Sequence, residues 1–161
     1  MQKVKLDSID RKILSELQAD GRITNVELAK RVDISAPPCL RRVRALEDAG
    51  LIQGYHARLD SRALGYHVTV FVLVALSHHA DADLRQFEAL VQSWDMVREC
   101  YMIQGDYDFL LKCVTPDLDA FQAFLTNDLS AAPHVEKTRT ATVVRTKKME
   151  PGVPVPENAG Y

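Results

Sequence analysis

Apolar positions recur at helical spacing near the start of the chain: Leu6, Ile9, Ile13, Leu14 and Leu17 share one face of a helix. Asp7 is placed to cap that helix, Asp10 three residues on favours its first turn, and Gly21 marks its end. Thr24 opens a second, short helix over 25–32, with Glu27 at the capping-box position. Residues 33–35 read as a turn. A third helix follows, with Leu40, Val43 and Leu46 on its inner face and Gly50 just past its end. Residues 51–59 alternate in character and predict a short two-stranded wing, and 60–65 reads as a linker.

The rhythm then changes. Residues 68–76 are β-branched and nearly continuous, which predicts a buried strand. Leu84, Phe87, Leu90, Val91 and Trp94 form a helical stripe over 81–94. Strands are predicted at 97–103 and 107–114, separated by Gln104, Gly105 and Asp106, a hairpin signal. Pro116 precedes an amphipathic helix over 117–129, with Leu118, Phe121, Phe124 and Leu125 inward, and a last strand covers 135–146. The order βαββαβ is the ferredoxin-like unit. The expected fold is α+β: a helix-turn-helix domain at 1–53, wing and linker at 54–66, a ferredoxin-like domain at 67–149, and a Pro- and Gly-rich tail at 150–161 without fixed structure.

Charge sharpens this division. The net charge is only −2, but residues 1–65 hold 12 Lys and Arg against 9 Asp and Glu, a net of +3. Residues 66–161 hold 8 against 13, a net of −5. Only the first half is suited to a polyanion. Three widely spaced cysteines without a C-x-x-C fit neither a disulfide framework nor a zinc site, so a reducing compartment is expected. The N-terminus has no apolar core of a signal peptide, and the longest apolar run is too short for a bilayer. These features lead us to expect a soluble cytoplasmic protein that has no membrane partner.

The densest chemistry lies in the helix-turn-helix. Between Lys30 and Arg44 stand five cations (Lys30, Arg31, Arg41, Arg42, Arg44) and one acid, Asp33. Arg41, Arg42 and Arg44 fall largely outside the apolar stripe of the third helix. A guanidinium fork suits either a guanine edge or a phosphate. Thr24, Asn25 and Ser35 lie at helix starts, where such side chains commonly touch phosphate. With Ser35 as N-cap, N2 and N3 are Pro37 and Pro38, which have no N–H for the serine to accept; its hydroxyl is left free to turn toward a phosphate.

In the second half, the first strand is apolar on both faces, which calls for cover on both sides. A second copy in an isologous dimer supplies it economically. Gly105, Asp106, Tyr107 and Asp108 form a candidate small-molecule site. Amides exposed at a glycine turn suit a carboxylate, and Asp106 or Asp108 suits an ammonium. The same residues also simply make hairpins.

Residues 10–14 (DRKIL), 21–29 (GRITNVELA), 39–47 (CLRRVRALE), 50–55 (GLIQGY) and 105–111 (GDYDFLL) closely resemble the Lrp/AsnC regulators, over roughly residues 6–149. The resemblance implies a winged helix-turn-helix on double-stranded DNA and a RAM- or ACT-like effector domain. It implies homodimers assembling to tetramers or octamers, and an amino-acid effector held near the 105–108 loop at a subunit interface. Thr138 and Thr140 match positions near that pocket. The family often has Ser-Pro-x-Pro-Cys before the recognition helix, where this chain has Ser35-Ala36-Pro37-Pro38-Cys39.

Two alternatives stand beside this reading. One is a sequence-tolerant DNA-organising protein without an effector. The other is an enzyme on the same fold. The chain has no G-x-S-x-G, H-E-x-x-H, P-loop or G-x-G-x-x-G pattern. His78-His79 reads as an exposed loop pair rather than a metal site. No metal, catalytic residue or cofactor is expected.

Overall fold

The computed structural model describes residues 5–156; residues 1–4 and 157–161, the ends of the expected N-terminus and tail, lie outside the described residues. Two compact units divide the described residues, one of residues 5–58 with 148–156, the other of residues 59–147.

The first unit is built on α1 (Ser8–Ala19), α2 (Asn25–Arg31) and α3 (Ala36–Asp48). Asp7 and Asp10 cap α1 reciprocally, each side chain accepting from the other's backbone N–H. Thr24 caps α2 by accepting from the Glu27 N–H. Two helices end in the same way. Asp33 (φ 58) and Gly50 (φ 71) adopt the left-handed conformation, and the next residue's N–H returns to a carbonyl five back, Ile34 to Ala29 and Leu51 to Leu46. The tight turn between α2 and α3 is therefore a helix terminator with an aspartate where glycine is usual. Ile13, Leu28, Ala29, Val32, Cys39 and Leu46 form the core.

Three expectations change here. The inner stripe of α3 is Cys39, Val43 and Leu46, because 3.6 residues per turn puts Leu40 on the outer side, 38% exposed. Residues 53–60 run without strand pairing, so the two-stranded reading of the wing is not realised; Tyr55 instead donates its hydroxyl to Glu47 of α3 at 2.9 Å. The segment at 150–156 does not float free: its backbone is hydrogen-bonded to Gln18 on α1.

The second unit follows the predicted order: β1 (Val68–Leu76), α4 (Asp81–Ser93), β2 (Val97–Met102), β3 (Phe109–Thr115), α5 (Leu118–Phe124) with a π-helical turn Leu125–Leu129, and β4 (Val135–Thr142). The antiparallel sheet has order β2-β3-β1-β4. Val70, Val72, Val74 and Leu76 of β1 and Phe109, Leu111 and Cys113 of β3 are buried together with Phe87, Val91, Phe121, Phe124 and Leu129. Each such large side chain contributes about 1.5–3 kcal/mol by leaving water. The other face carries Phe71 and Leu73 beside Leu110 and Val114, only half-buried. Leu118, expected inward, is 56% exposed at the start of α5.

Candidate nucleic-acid interface and effector site

The outer face of α3 and the start of α2 carry the residues singled out for DNA. Arg41 and Arg44, three apart and opposite Cys39 and Leu46, are exposed and have no ion pair or hydrogen bond among the described residues. Ser35 is the N-cap of α3 and makes no cap hydrogen bond, as the prolines at 37 and 38 require. Pro37 is exposed and Pro38 half-buried, the first turn of α3 being rigid where it leaves the turn. Thr24 is exposed, with its oxygen already accepting from Glu27.

Two candidates are turned to other work. Asn25 donates through Nδ2 to the Ala36 carbonyl at 2.8 Å, tying the first turn of α2 to that of α3. Its Oδ1 is buried without a partner among the described residues. Arg42 flanks the inner stripe and reaches back to α1, bonding Asp7 at 2.7 Å and Asp10 at 2.6 Å. It is thereby separated from Arg41 and Arg44. The Asp10 backbone N–H, the leading cause, together with Arg42 holds the Asp7 carboxyl below its ordinary range. The same carboxylates raise the Arg42 guanidinium, Asp10 foremost. The capping box of α1 is thus also the anchor of α3. Arg31 is similarly drawn to Glu16 at 2.9 Å and Glu27 at 3.5 Å.

In the second unit the turn residues 105–108 lie at one end of the sheet, with Thr138 toward the same end of β4 and Thr140 at mid-sheet. Gly105 (φ 141) and Asp106 are exposed at the hairpin turn. Tyr107 is half-buried beneath the Lys137 ammonium, 4.8 Å from its ring centre. Thr138 and Thr140 lie opposite Val74 and Val72 on β4, the first half-buried and the second exposed. Asp108 must be removed from the list of free carboxylates. Its Oδ2 accepts the Leu76 N–H at 2.7 Å and its Oδ1 meets His79 Nε2 at 3.0 Å. Its own N–H donates to Val74 at 2.9 Å. It stitches the turn to the end of β1, while Asp106 is exposed.

The histidine pair makes contacts that the sequence does not announce. His78 and His79 are exposed, but His78 Nδ1 meets His134 Nδ1 at 2.8 Å, and His134 Nε2 lies 3.6 Å from Asp83. No periodicity announces such a contact across 56 residues. Among the described residues no group of three or more His, Cys, Asp or Glu could hold a metal ion. Burial pushes the Cys113 thiol up to about 12 and raises those of Cys39 and Cys100, which makes poor nucleophiles of all three.

A helix-turn-helix with outward arginines, followed in the chain by a ferredoxin-like sheet with an exposed glycine turn, is the architecture of a two-part DNA-binding regulator. Residues 6–53 match the winged helix-turn-helix DNA-binding model and residues 69–153 the Lrp/AsnC ligand binding domain. The chain belongs to the Lrp/AsnC family of transcriptional regulators. It is 55% identical over 146 residues to the leucine-responsive regulatory protein of Rhizobium meliloti (strain 1021), covering 91% of this chain and 94% of that one. It is 48% identical over 143 residues to the protein of that name from Salmonella typhimurium, covering 89% and 87%. The transcriptional regulator NMB0573 of Neisseria meningitidis, solved in complex with L-Met, superposes with a TM-score of 0.90 at 35% identity, covering 93% of this chain and 97% of that one.

Proposed function

We propose that this regulator is operator-directed, that Arg41 and Arg44 carry its grip on DNA, and that an amino acid bound near Asp106 modulates it. One observation carries the DNA half: the two arginines are unpaired and outward on α3, while the equally basic Arg42 and Arg31 are held by carboxylates. Ser35 and Thr24 flank them at helix starts and reach phosphate; Pro37 and Pro38 stiffen the entry, and Asn25 and Arg42 fix the angle of α3. The amino-acid reading is supported by the exposed Gly105-Asp106 turn and by L-Met in the Neisseria relative. Thr138, opposite Val74 toward that end of the sheet, and Thr140, opposite Val72 further along β4, serve as further polar contacts.

The half-buried Phe71, Leu73, Leu110 and Val114 are covered by a second copy, and dimers assemble further to tetramers or octamers. Two heads on a two-fold axis then read half-sites about 34 Å apart or a multiple of that. The protein acts in the cytoplasm, on the nucleoid, and is no enzyme.

Selection of genomic fragments by the purified protein, with and without an amino-acid mixture, tests this reading. Specific fragments bound about 10³-fold or more over bulk DNA support an operator-directed regulator. Uniform recovery of all fragments contradicts it in favour of a DNA-organising protein. Asp106→Ala is expected to bind DNA as the parent does without effector, but to lose the response; an unchanged response excludes the turn.

A further inference from the structure

The residues after β4 end in a built contact. The side-chain amide of Gln18, on α1, lies across the backbone of Val153: Nε2 donates to the carbonyl at 2.8 Å, and the Val153 N–H donates to Oε1 at 3.0 Å. Two bonds from one amide to one residue fix position as well as affinity. The neighbouring residues suit this contact. Gly152 has φ 73, and a Cβ there would collide with the Gln18 amide. Pro151, Pro154 and Pro156 stiffen the segment and lower the entropy lost on docking. They also have no N–H, so Val153 supplies one of the few donors the segment has. Val155 is half-buried and lines a cleft with Lys12, Ser15 and Glu16 of α1 and Arg31 of α2.

This segment continues the chain from β4, the strand that carries Thr138 and Thr140. The DNA-binding helices are thus held at two places, by the linker that follows α3 and by the segment that returns to α1. We propose that residues 150–156 are a strap, fastened by Gln18, through which effector occupancy at β4 is transmitted to the recognition helix. The signalling half of this proposal rests on the effector reading above; the fastening does not. On this proposal a movement of β4 on binding an effector reaches α1 along the chain through residues 143–149, and reaches α3 through Arg42 and its two aspartates.

The test uses the full-length protein in its native assembly. Hydrogen exchange should show the Val153 amide protected about tenfold or more in the parent, and unprotected in Gln18→Ala and Gly152→Ala. Alanine keeps α1 helical, so the first variant folds. Gln18→Glu, which keeps an acceptor but loses the donor, should show intermediate protection. Calorimetry against the twenty common amino acids, one at a time, and operator titrations with and without the one that binds complete the experiment. Both alanine variants should take up the effector with parental affinity, while the effector-induced change in operator affinity shrinks at least about threefold. Parental exchange in both alanine variants overturns the fastening. Undiminished coupling in a strap-free variant overturns the transmission. A parent that binds no amino acid contradicts the effector reading and with it the transmission, while exchange still decides the fastening.

Discussion

Arg42 is the residue at which charge and role part company. It stands between two arginines that have no ion pair among the described residues, yet its own carboxylate partners are the N-cap and first turn of α1. Arg42→Ala should therefore act on stability: a partly exposed, charge-assisted pair is worth about 1 kcal/mol, so the melting temperature falls by a few degrees. Thermal unfolding checks this, with Arg42→Lys recovering part of the loss. Asp7 adds a pH dependence. Its folded value lies below the ordinary 3.8, so its contribution is fully present above that value and is lost as pH falls through the lower folded one. Asp7→Asn should flatten the acid limb of stability below about pH 4; an unaltered limb would place the acid sensitivity elsewhere. The Asp7–Asp10 cap is legible in sequence because capping acts over three residues. Its second use as the anchor of Arg42, 35 residues away, leaves no local signature.

At the scale of elements, α3 begins without the side-chain cap that α1 and α2 have. Its N-cap hydroxyl has no N–H to accept, so Ser35→Ala should leave the melting temperature unchanged within about 0.5 kcal/mol of stability, where an ordinary cap loses about 1. The same variant should weaken operator binding, read by anisotropy titration. A loss of stability with unchanged affinity would make Ser35 a plain cap. The helices and strands were legible from periodicity and caps, and their order was enough to name the ferredoxin-like unit. The inner stripe of α3 was misread because Leu40 outranks Cys39 in hydrophobicity, while helix phase favours the cysteine. The expected two strands at 51–59 do not form because alternation alone does not provide a ladder partner. Polar contacts across long stretches of chain, Gln18 to Val153, His78 to His134 and Asp108 to Leu76, were invisible because exposed polar side chains carry no spacing rule.

At the scale of the whole molecule, the two faces of the sheet differ in cover. One face closes on α4 and α5; Phe109→Ala there should cost about 3–5 kcal/mol and lower the melting temperature steeply. The other face leaves Phe71 and Leu73 half-covered, so Leu73→Lys should shift sedimentation toward monomer while the isolated chain keeps its fold. A parental sedimentation profile would mean that copies pair elsewhere. The candidate DNA surface was legible as a run of cations, but which cations were free depended on where the carboxylates of α1 and α2 came to lie. The most direct measurement is the salt dependence of operator affinity for Arg41→Ala/Arg44→Ala, with folding verified by its melting curve. The account predicts a parental melting temperature, an affinity loss of about tenfold or more, and a log–log salt slope reduced by about one for each phosphate contact removed. A folded double variant with the parent's affinity and slope would contradict it.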